Sequence, residues 1–378
     1  MATSPEVEDK PTSVIETKTK CNSIQDVGLV RWFTFQLLSG ITKIAIRSRS
    51  GVGTSIYVES SKKNTMTFDV GADIPDPSGV NGRSHLGNHI FLTHTHCDHV
   101  LALGSALLAS QCRGATYHIW VPRSKKHRVF HNLITHLKSS ATLSGDHYCH
   151  ACDYPQQHAE HKLFVFSAVA VACMCIAFLH LGLSCALGVI LYSILLWQHP
   201  KITEQMKEPA TARVSFVHRN LIISEVTDAM VVSKQNRIVR AFPSNHCIES
   251  NAYVVYDRVC PVGQLESIPD CMYTDGALVY APVLTISGDT TCDLWTRYPE
   301  LTESQIVLSE ATRMTGEVED PHKYGHTHVR ELINVIWQCR YLVLYHIATR
   351  ETNARIKEAI SAFPEQVNVL IGQTGYEA

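Results

Sequence analysis

The sequence predicts an α/β fold built as a four-layer α-β-β-α sandwich. Two observations carry that expectation. Strand-like runs fall into two groups, one ending near residue 122 and one resuming at Val214, and helical stretches lie between and outside them. A third observation adds function: His94, His96, Asp98 and His99 crowd into six residues straight after an apolar run, where a loop leaving a strand would display them.

Taken in order, residues 27–72 hold runs such as TSIYVES and TMTFDVG, separated by Ser, Lys and Gly. HIFLTH reads as a strand that runs into the His-rich loop. Val100–Gln111 is apolar and of helical length, TYHIWVP (116–122) is a strand, and 124–140 is a helix. From Val214 the runs VSFVHRN, LIISEV, AMVV, RIVRAF, NAYVVYD and LVYAPVLTISGD are strands. The last part alternates: IVLSEA strand, HVRELINVIWQC helix, LVLYHIA strand, ARIKEAISAF helix. We therefore expect one large domain over 27–378. Residues 1–26 read as a disordered leader, because they are polar and the acids Glu6, Glu8 and Asp9 do not suit a transit peptide.

An insertion over 146–212 interrupts the first half. Residues 163–197 contain no Asp, Glu, Lys or Arg. As one helix they would run roughly 52 Å at about 1.5 Å per residue, against a bilayer core of about 30 Å. Split near 182–184, they give two arms of roughly 26 Å each. Both flanks belong to one sandwich, so a membrane hairpin or in-plane anchor is expected. A buried helical pair and a segment foreign to the fold are the alternatives. Just before it, Cys149, Cys152, His158 and His161 have zinc-ligand types, but their short spacing also suits a plain linker.

The chain has 378 residues, 45% of them apolar, with a net charge of −2 and a pI near 6.9. Bulk charge does not advertise nucleic-acid binding, so any phosphate site must be local. The 13 cysteines are scattered and no secretory signal precedes them, which leads us to expect reduced thiols and an intracellular protein.

Imidazole and carboxylate ligands in the His-x-His-x-Asp-His pattern suit zinc, iron or manganese. Alternate residues of an extended chain share a face, so His94, His96 and Asp98 can converge while His99 turns to a neighbouring position. Four ligands with two facings suggest two metals. Further ligands are expected at other strand ends: His246 in RAFPSNHC, Asp289 in TISGDTT and His346 in LVLYHIATR.

The ordered series HTHCDH, FPSNH, SGDTT, LSEAT, YGHTH and LYHIATR resembles ribonuclease Z, the tRNA 3′-processing endonuclease in its short form, within the metallo-β-lactamase superfamily. The resemblance implies a metallo-β-lactamase-like sandwich. It assigns His94, His96 and His246 to one metal, Asp98, His99 and His346 to a second, and Asp289 to both. It implies two divalent cations, zinc above all, and a hydroxide activated between them. It also implies that Asp98 orients that hydroxide as a base, that His326 donates a proton to the leaving 3′ oxygen, and that Glu310 orients His326. His328 is a second donor candidate, and Asp69 matches an acceptor behind a metal-bound histidine. The implied substrate is precursor tRNA, cut at its 3′ trailer, and the implied assembly is a homodimer; the apolar stretch 163–197 adds an expectation of membrane association.

The sequence departs from that pattern in places. The motif continues as DHVLALG, without the family's proline; SNAYVVY follows His246; and ATRE follows His346, keeping Arg350 as a phosphate contact. The interval 247–288 is short and carries more acid than base, where short ribonuclease Z enzymes hold a basic or Gly/Pro-rich tRNA-gripping arm. Arg123, Lys125, Lys126, His127 and Arg128 could substitute, or simply form a solvated helix start. Hydrolysis of a small ester or phosphodiester is therefore the alternative function, and a weakly active membrane-associated binding protein is another.

Overall fold

Side chains on successive strand residues point to opposite faces, and that alternation sorts this chain into layers. The computed structural model describes residues 19–37, 40–60, 65–72, 74, 86–111, 116–124, 128–139, 149–150, 212–218, 221–226, 230–233, 237–261, 272–274, 278–314 and 325–376. Its first sheet opens with an antiparallel meander: β1 (Lys20–Val27), β2 (Val30–Leu37), β3 (Gly40–Arg49), β4 (Gly53–Ser60) and β5 (Thr65–Val70). Parallel strands β6 (His89–Phe91), β7 (Tyr117–Pro122) and β10 (Leu221–Val226) continue it. The antiparallel β9 (Ala212–His218) and β8 (Cys149–His150) complete it.

The second sheet runs from β11 (Met230–Ser233) through β12 (Arg237–Ser244), β13 (Ser250–Pro261) and β15 (Leu278–Ile286), all antiparallel. The parallel strands β16 (Ile306–Glu310), β17 (Tyr341–Tyr345) and β18 (Asn368–Ile371) follow, and the short β14 (Tyr273–Thr274) pairs with β15. The helices are α1 (Cys97–Val100), α2 (Leu103–Gln111), α3 (Arg128–Ser139), α4 (Asp293–Arg297), α5 (Val329–Leu332) and α6 (Asn353–Ser361).

Phe91 of β6, Phe68 of β5 and Phe33 of β2 point into a core shared by both sheets, against Tyr253, Ile286 and Val343. Phe68 stacks on Phe91 at 5.1 Å between ring centroids, and Tyr253 tilts against Phe91 at 5.4 Å. Each such side chain contributes roughly 1.5–3 kcal/mol by leaving water. One residue away, Ile90 and Ile119 face outward to Leu103, Leu107, Leu133 and Leu137 of α2 and α3. Val307, Leu342 and Leu344 likewise face Leu294, Leu332 and Ile356 of α4, α5 and α6, where Trp295 meets Trp337 at 4.9 Å. Helix, sheet, sheet, helix is therefore the observed layering, as expected.

Three expectations change. Lys20–Val27 is β1, hydrogen-bonded along β2, so the leader cannot extend to residue 26; residues 1–18 lie outside the described residues. The helix expected over 100–111 is two, because the chain bends at Leu101–Ala102 and Ala102 N–H donates to Val70 O at 2.9 Å. The helix expected over 328–339 stops at Leu332, and turns carry Trp337 back so that its indole N–H donates to Leu332 O at 2.9 Å. Apart from Cys149–His150, the expected zinc ligands and the whole apolar stretch 163–197 lie outside the described residues. Among the described residues no helix is long and apolar enough to cross a membrane.

Candidate metal centre

The quartet sits where the sheets meet. Beyond β6, Leu92 N–H donates to Trp120 O, and Thr93 O accepts from Asn251 N–H of β13, both at 2.8 Å. Tyr253 O–H adds a bond to Leu92 O at 2.7 Å. The loop is thereby stitched to both sheets before the first ligand begins. Residues 94–96 belong to neither strand nor helix, His96 is extended at φ −65° and ψ 152°, and α1 begins at Cys97. This switch separates the quartet: His94 and His96 face one way, while Asp98 and His99 follow the helical turn. Simple alternation had put Asp98 with His94 and His96; the helix start places it with His99 and His346 instead.

His94 Nε2 lies 3.1 Å from His96 Nδ1, which lies 3.2 Å from His246 Nε2. Nitrogens around a tetrahedral cation at about 2.0–2.1 Å stand about 3.3 Å apart, so the three rings could hold one. Asp98 Oδ2 is 3.4 Å from His346 Nε2. Asp289 lies between the groups: Oδ2 is 3.3 Å from His99 Nε2 and 3.8 Å from His94 Nε2, and Oδ1 is 3.5 Å from His346 Nδ1. His246, Asp289 and His346 come from loops after β12, β15 and β17 of the second sheet. Two buried polar atoms, His99 Nε2 and Asp289 Oδ1, have no hydrogen-bond partner. Such orphaned donors and acceptors are costly unless something else satisfies them, and this donor set fits divalent cations.

Hydrogen bonds behind the rings fix which nitrogen is free. His246 Nδ1–H donates to Gly325 O at 2.7 Å, leaving Nε2. His99 Nδ1–H donates to Asp69 Oδ2 at 2.7 Å, again leaving Nε2. Asp69 also accepts from Thr93 N–H and Thr93 O–H, both at 2.7 Å, and Thr93 Oγ1 lies 3.0 Å from His94 Nδ1. One carboxylate thus orients imidazoles of both groups. Among the described residues, Asp69 and His346 are the non-glycine residues with positive φ, 55° and 58°, a strained conformation that clusters at functional sites. Gly71 permits the close approach behind them: a Cβ there would lie 1.7 Å from Asp98 O.

Electrostatics follow burial and neighbours. Burial, then the charge of His99, pushes His94 well below the ordinary histidine value, and burial lowers His96 and His246 too, so these three are neutral lone-pair donors. Burial opposes charge on His99, but Asp289 and Asp69 raise it well above the ordinary value. Burial likewise opposes charge on Asp98, yet His346 and His99 hold it at about 2. A cation would displace the His99 proton.

His326 Nδ1 faces Glu310 Oε1 at 3.2 Å and Asp289 Oδ2 at 3.9 Å. Despite desolvation, Glu310 raises it to about 9. Glu310 is buried and accepts from Thr290 N–H, Thr327 N–H, Thr312 N–H and Thr312 O–H. His328 instead caps α5: its Nδ1 accepts from Arg330 N–H, and its own N–H donates to Glu331. Thr312 Oγ1, 2.9 Å from His346 Nδ1 and 3.3 Å from His326 Nδ1, joins the two histidines. The sequence analysis quoted the motifs that hold Thr312, Thr93 and Gly325 but gave none of the three a role. Arg123, Arg128 and Arg350 are exposed, while residues 125–127 lie outside the described residues.

A sandwich of this layering, with a His/Asp cluster on its sheet seam, is a metallo-β-lactamase-like fold. Within that class the chain is similar to ribonuclease Z. It is 24% identical to tRNase Z TRZ1 of Arabidopsis thaliana over 165 residues, 40% of this chain and 59% of that protein. It is 25% identical to chloroplastic tRNase Z TRZ2 of the same plant over 149 residues, 35% of this chain and 42% of that protein. The chain's matches thus span about half the length of these relatives. No family model matches. Similar solved structures include the metallo-β-lactamase fold protein YhfI from Bacillus subtilis, with TM-score 0.49, 12% identity, and coverage of 89% of this chain and 97% of that one. The short form of human tRNase Z has TM-score 0.39, 12% identity, and coverage of 80% and 91%.

Proposed function

We propose that this chain is a metal-dependent phosphodiesterase of the ribonuclease Z type, which removes the 3′ trailer of precursor tRNA. The observation that carries the reading is the meeting of seven ligand-type side chains from both sheets, backed by the orphaned His99 Nε2 and Asp289 Oδ1. His94, His96 and His246 would hold one divalent cation and Asp98, His99 and His346 a second, with Asp289 contributing to both. Nitrogen and oxygen ligands of this kind suit zinc. Such cations supply Lewis acidity and lower the pKa of water.

The protein's own groups do the rest. Asp98 stays ionised and is oriented by Gly51 N–H at 3.0 Å, so it can align the attacking water and take its proton. His326 stays protonated at neutral pH because Glu310 faces its Nδ1, which leaves Nε2–H to be given to the departing 3′ oxygen. Glu310, fixed by four donors, positions that ring. Arg350, exposed four residues after His346, would meet substrate phosphate. A homodimer and membrane attachment through 163–197 belong to the same proposal.

A second reading, hydrolysis of a small ester or phosphodiester, rests on the interval 247–288. It holds five acids, Glu249, Asp257, Glu266, Asp270 and Asp275, against one base, Arg258, where phosphate contacts from Lys and Arg normally supply RNA affinity. Asp257 is neutralised by a buried pair with Arg237 at 2.5 Å, which still leaves four acids against one base. Metal content should be measured on one preparation together with cleavage of precursor tRNA and of bis(p-nitrophenyl) phosphate. Trailer removal supports the first reading, and cleavage of only the small diester replaces it with the second. Inactivity toward both with metal bound rejects both.

A further inference from the structure

His346 is buried and stands in the left-handed region at φ 58°. A non-glycine residue persists there only where its surroundings over-determine it. Thr312 holds its ring, but its backbone is held from the other sheet: His346 N–H donates to Ser48 Oγ of β3 at 3.1 Å. Ser48 is itself buried, sits directly across from Thr54 of β4 in the strand register, and its hydroxyl lies 3.1 Å from that of Thr54. The hairpin's own pairing therefore fixes the oxygen that meets His346.

The end of the same hairpin makes further bonds. Ser50 N–H donates to Ile347 O at 3.4 Å, and Gly51 N–H donates to Asp98 Oδ2 at 3.0 Å. Thr54 O accepts from Gly71 N–H at 2.8 Å, two residues beyond Asp69, the carboxylate behind His99. Gly53 permits that approach, since a Cβ there would lie 2.9 Å from Gly71 O. One hairpin thus touches the backbone of His346, the carboxylate of Asp98 and the loop behind His99, which are the three members of one ligand group. His94 and His246 of the other group are braced instead by Thr93 and Gly325.

We propose that the β3–β4 hairpin frames the second cation's site, with Ser48 as the positioning residue that sets the His346 backbone. This rests on the metal-site reading above. Without the Ser48 hydroxyl, the buried His346 N–H loses its acceptor. The peptide can then rotate out of the left-handed region and carry the imidazole away from Asp98. The first cation's ligands hang on other supports, so the two sites come apart.

Zinc titrated into the metal-free full-length protein against a chromophoric chelator tests this, with urea unfolding run on each variant. The parent is expected to bind two cations. Ser48→Ala should weaken one of them about 10–100-fold, the usual cost of altering an outer partner, and leave the other within twofold. In a His346→Ala background the same change should add nothing, whereas in a His246→Ala background it should weaken the cation that remains. Ser48→Thr, which keeps a hydroxyl, should bring the affinity back toward the parent's. Equal weakening of both cations with a lowered urea midpoint makes Ser48 a residue of the fold alone and overturns the proposal. A folded Ser48→Ala protein that holds every cation within twofold of the parent also overturns it and leaves the metal site standing. A parent that binds no zinc overturns hairpin role and metal site together.

Discussion

Asp69→Asn removes no atoms of bulk and changes one proton count. In the parent, Oδ1 accepts from Thr93 N–H, and Oδ2 accepts from both Thr93 O–H and His99 Nδ1–H, all at 2.7 Å. An amide offers one acceptor and one donor, so either orientation sets a donor against a donor. Turning the NH2 toward Thr93 N–H leaves a clash that nothing can relieve. Turning it toward His99 can be relieved, because the imidazole can shift its proton from Nδ1 to Nε2. That shift removes the lone pair His99 would offer a cation. The lost charge-assisted bonds cost roughly 1–3 kcal/mol of stability. Altering such an outer partner typically costs 10–100-fold in metal affinity, or roughly 1.4–2.8 kcal/mol at about 1.4 kcal/mol per decade. The second cation should suffer more than the first, since His99 touches Asp69 directly and His94 only through Thr93. Competition against a chromophoric chelator, run beside urea unfolding, measures both quantities. A folded variant that binds both cations within twofold of the parent would refute this account of Asp69.

His326→Ala should lower kcat by about 10²–10⁴ with metal content unchanged. In the proposed mechanism the donor works protonated, and His326 is raised to about 9, so activity should fall as pH climbs through that value; Glu310→Gln should move the fall to lower pH in a pH–rate profile. Gly71→Ala places a Cβ 1.7 Å from Asp98 O and should cost at least the roughly 1–3 kcal/mol of ordinary overpacking, read as a lower urea midpoint. Because His99 is held well above its ordinary value without metal, uptake must expel its proton. Affinity should therefore rise with pH, and calorimetry in buffers of different ionisation enthalpy should count at least one proton released.

Much of this was legible in the sequence, for identifiable reasons. His94, His96, Asp98 and His99 are neighbours in the chain, so their pattern needs no tertiary knowledge. His246, Asp289 and His346 each close an apolar run, and a strand end is where a loop meets a seam. Both groups of strands were visible in their apolar runs, and the structure adds β1, whose pattern is too polar to announce a strand. Trp337 returns to Leu332 through turns that a helical spacing of apolar residues also satisfies. Asp69 was reached through the resemblance and not through spacing, because its role needs a left-handed backbone, and Thr312 depends on a meeting of three loops. Neither leaves a periodic trace.

The sheet seam also sets a timetable. Asp98 and His346 are separated by 248 positions along the chain yet end 3.4 Å apart. At about 5–20 residues per second of synthesis, the first ligands exist for roughly ten to fifty seconds before the last is made. A cation arriving in that interval meets only a fragment of its cage. If Asp98, His99 and His346 hold the second cation, its loading must wait until His346 is made, long after the His94–His96–His246 set exists in the chain.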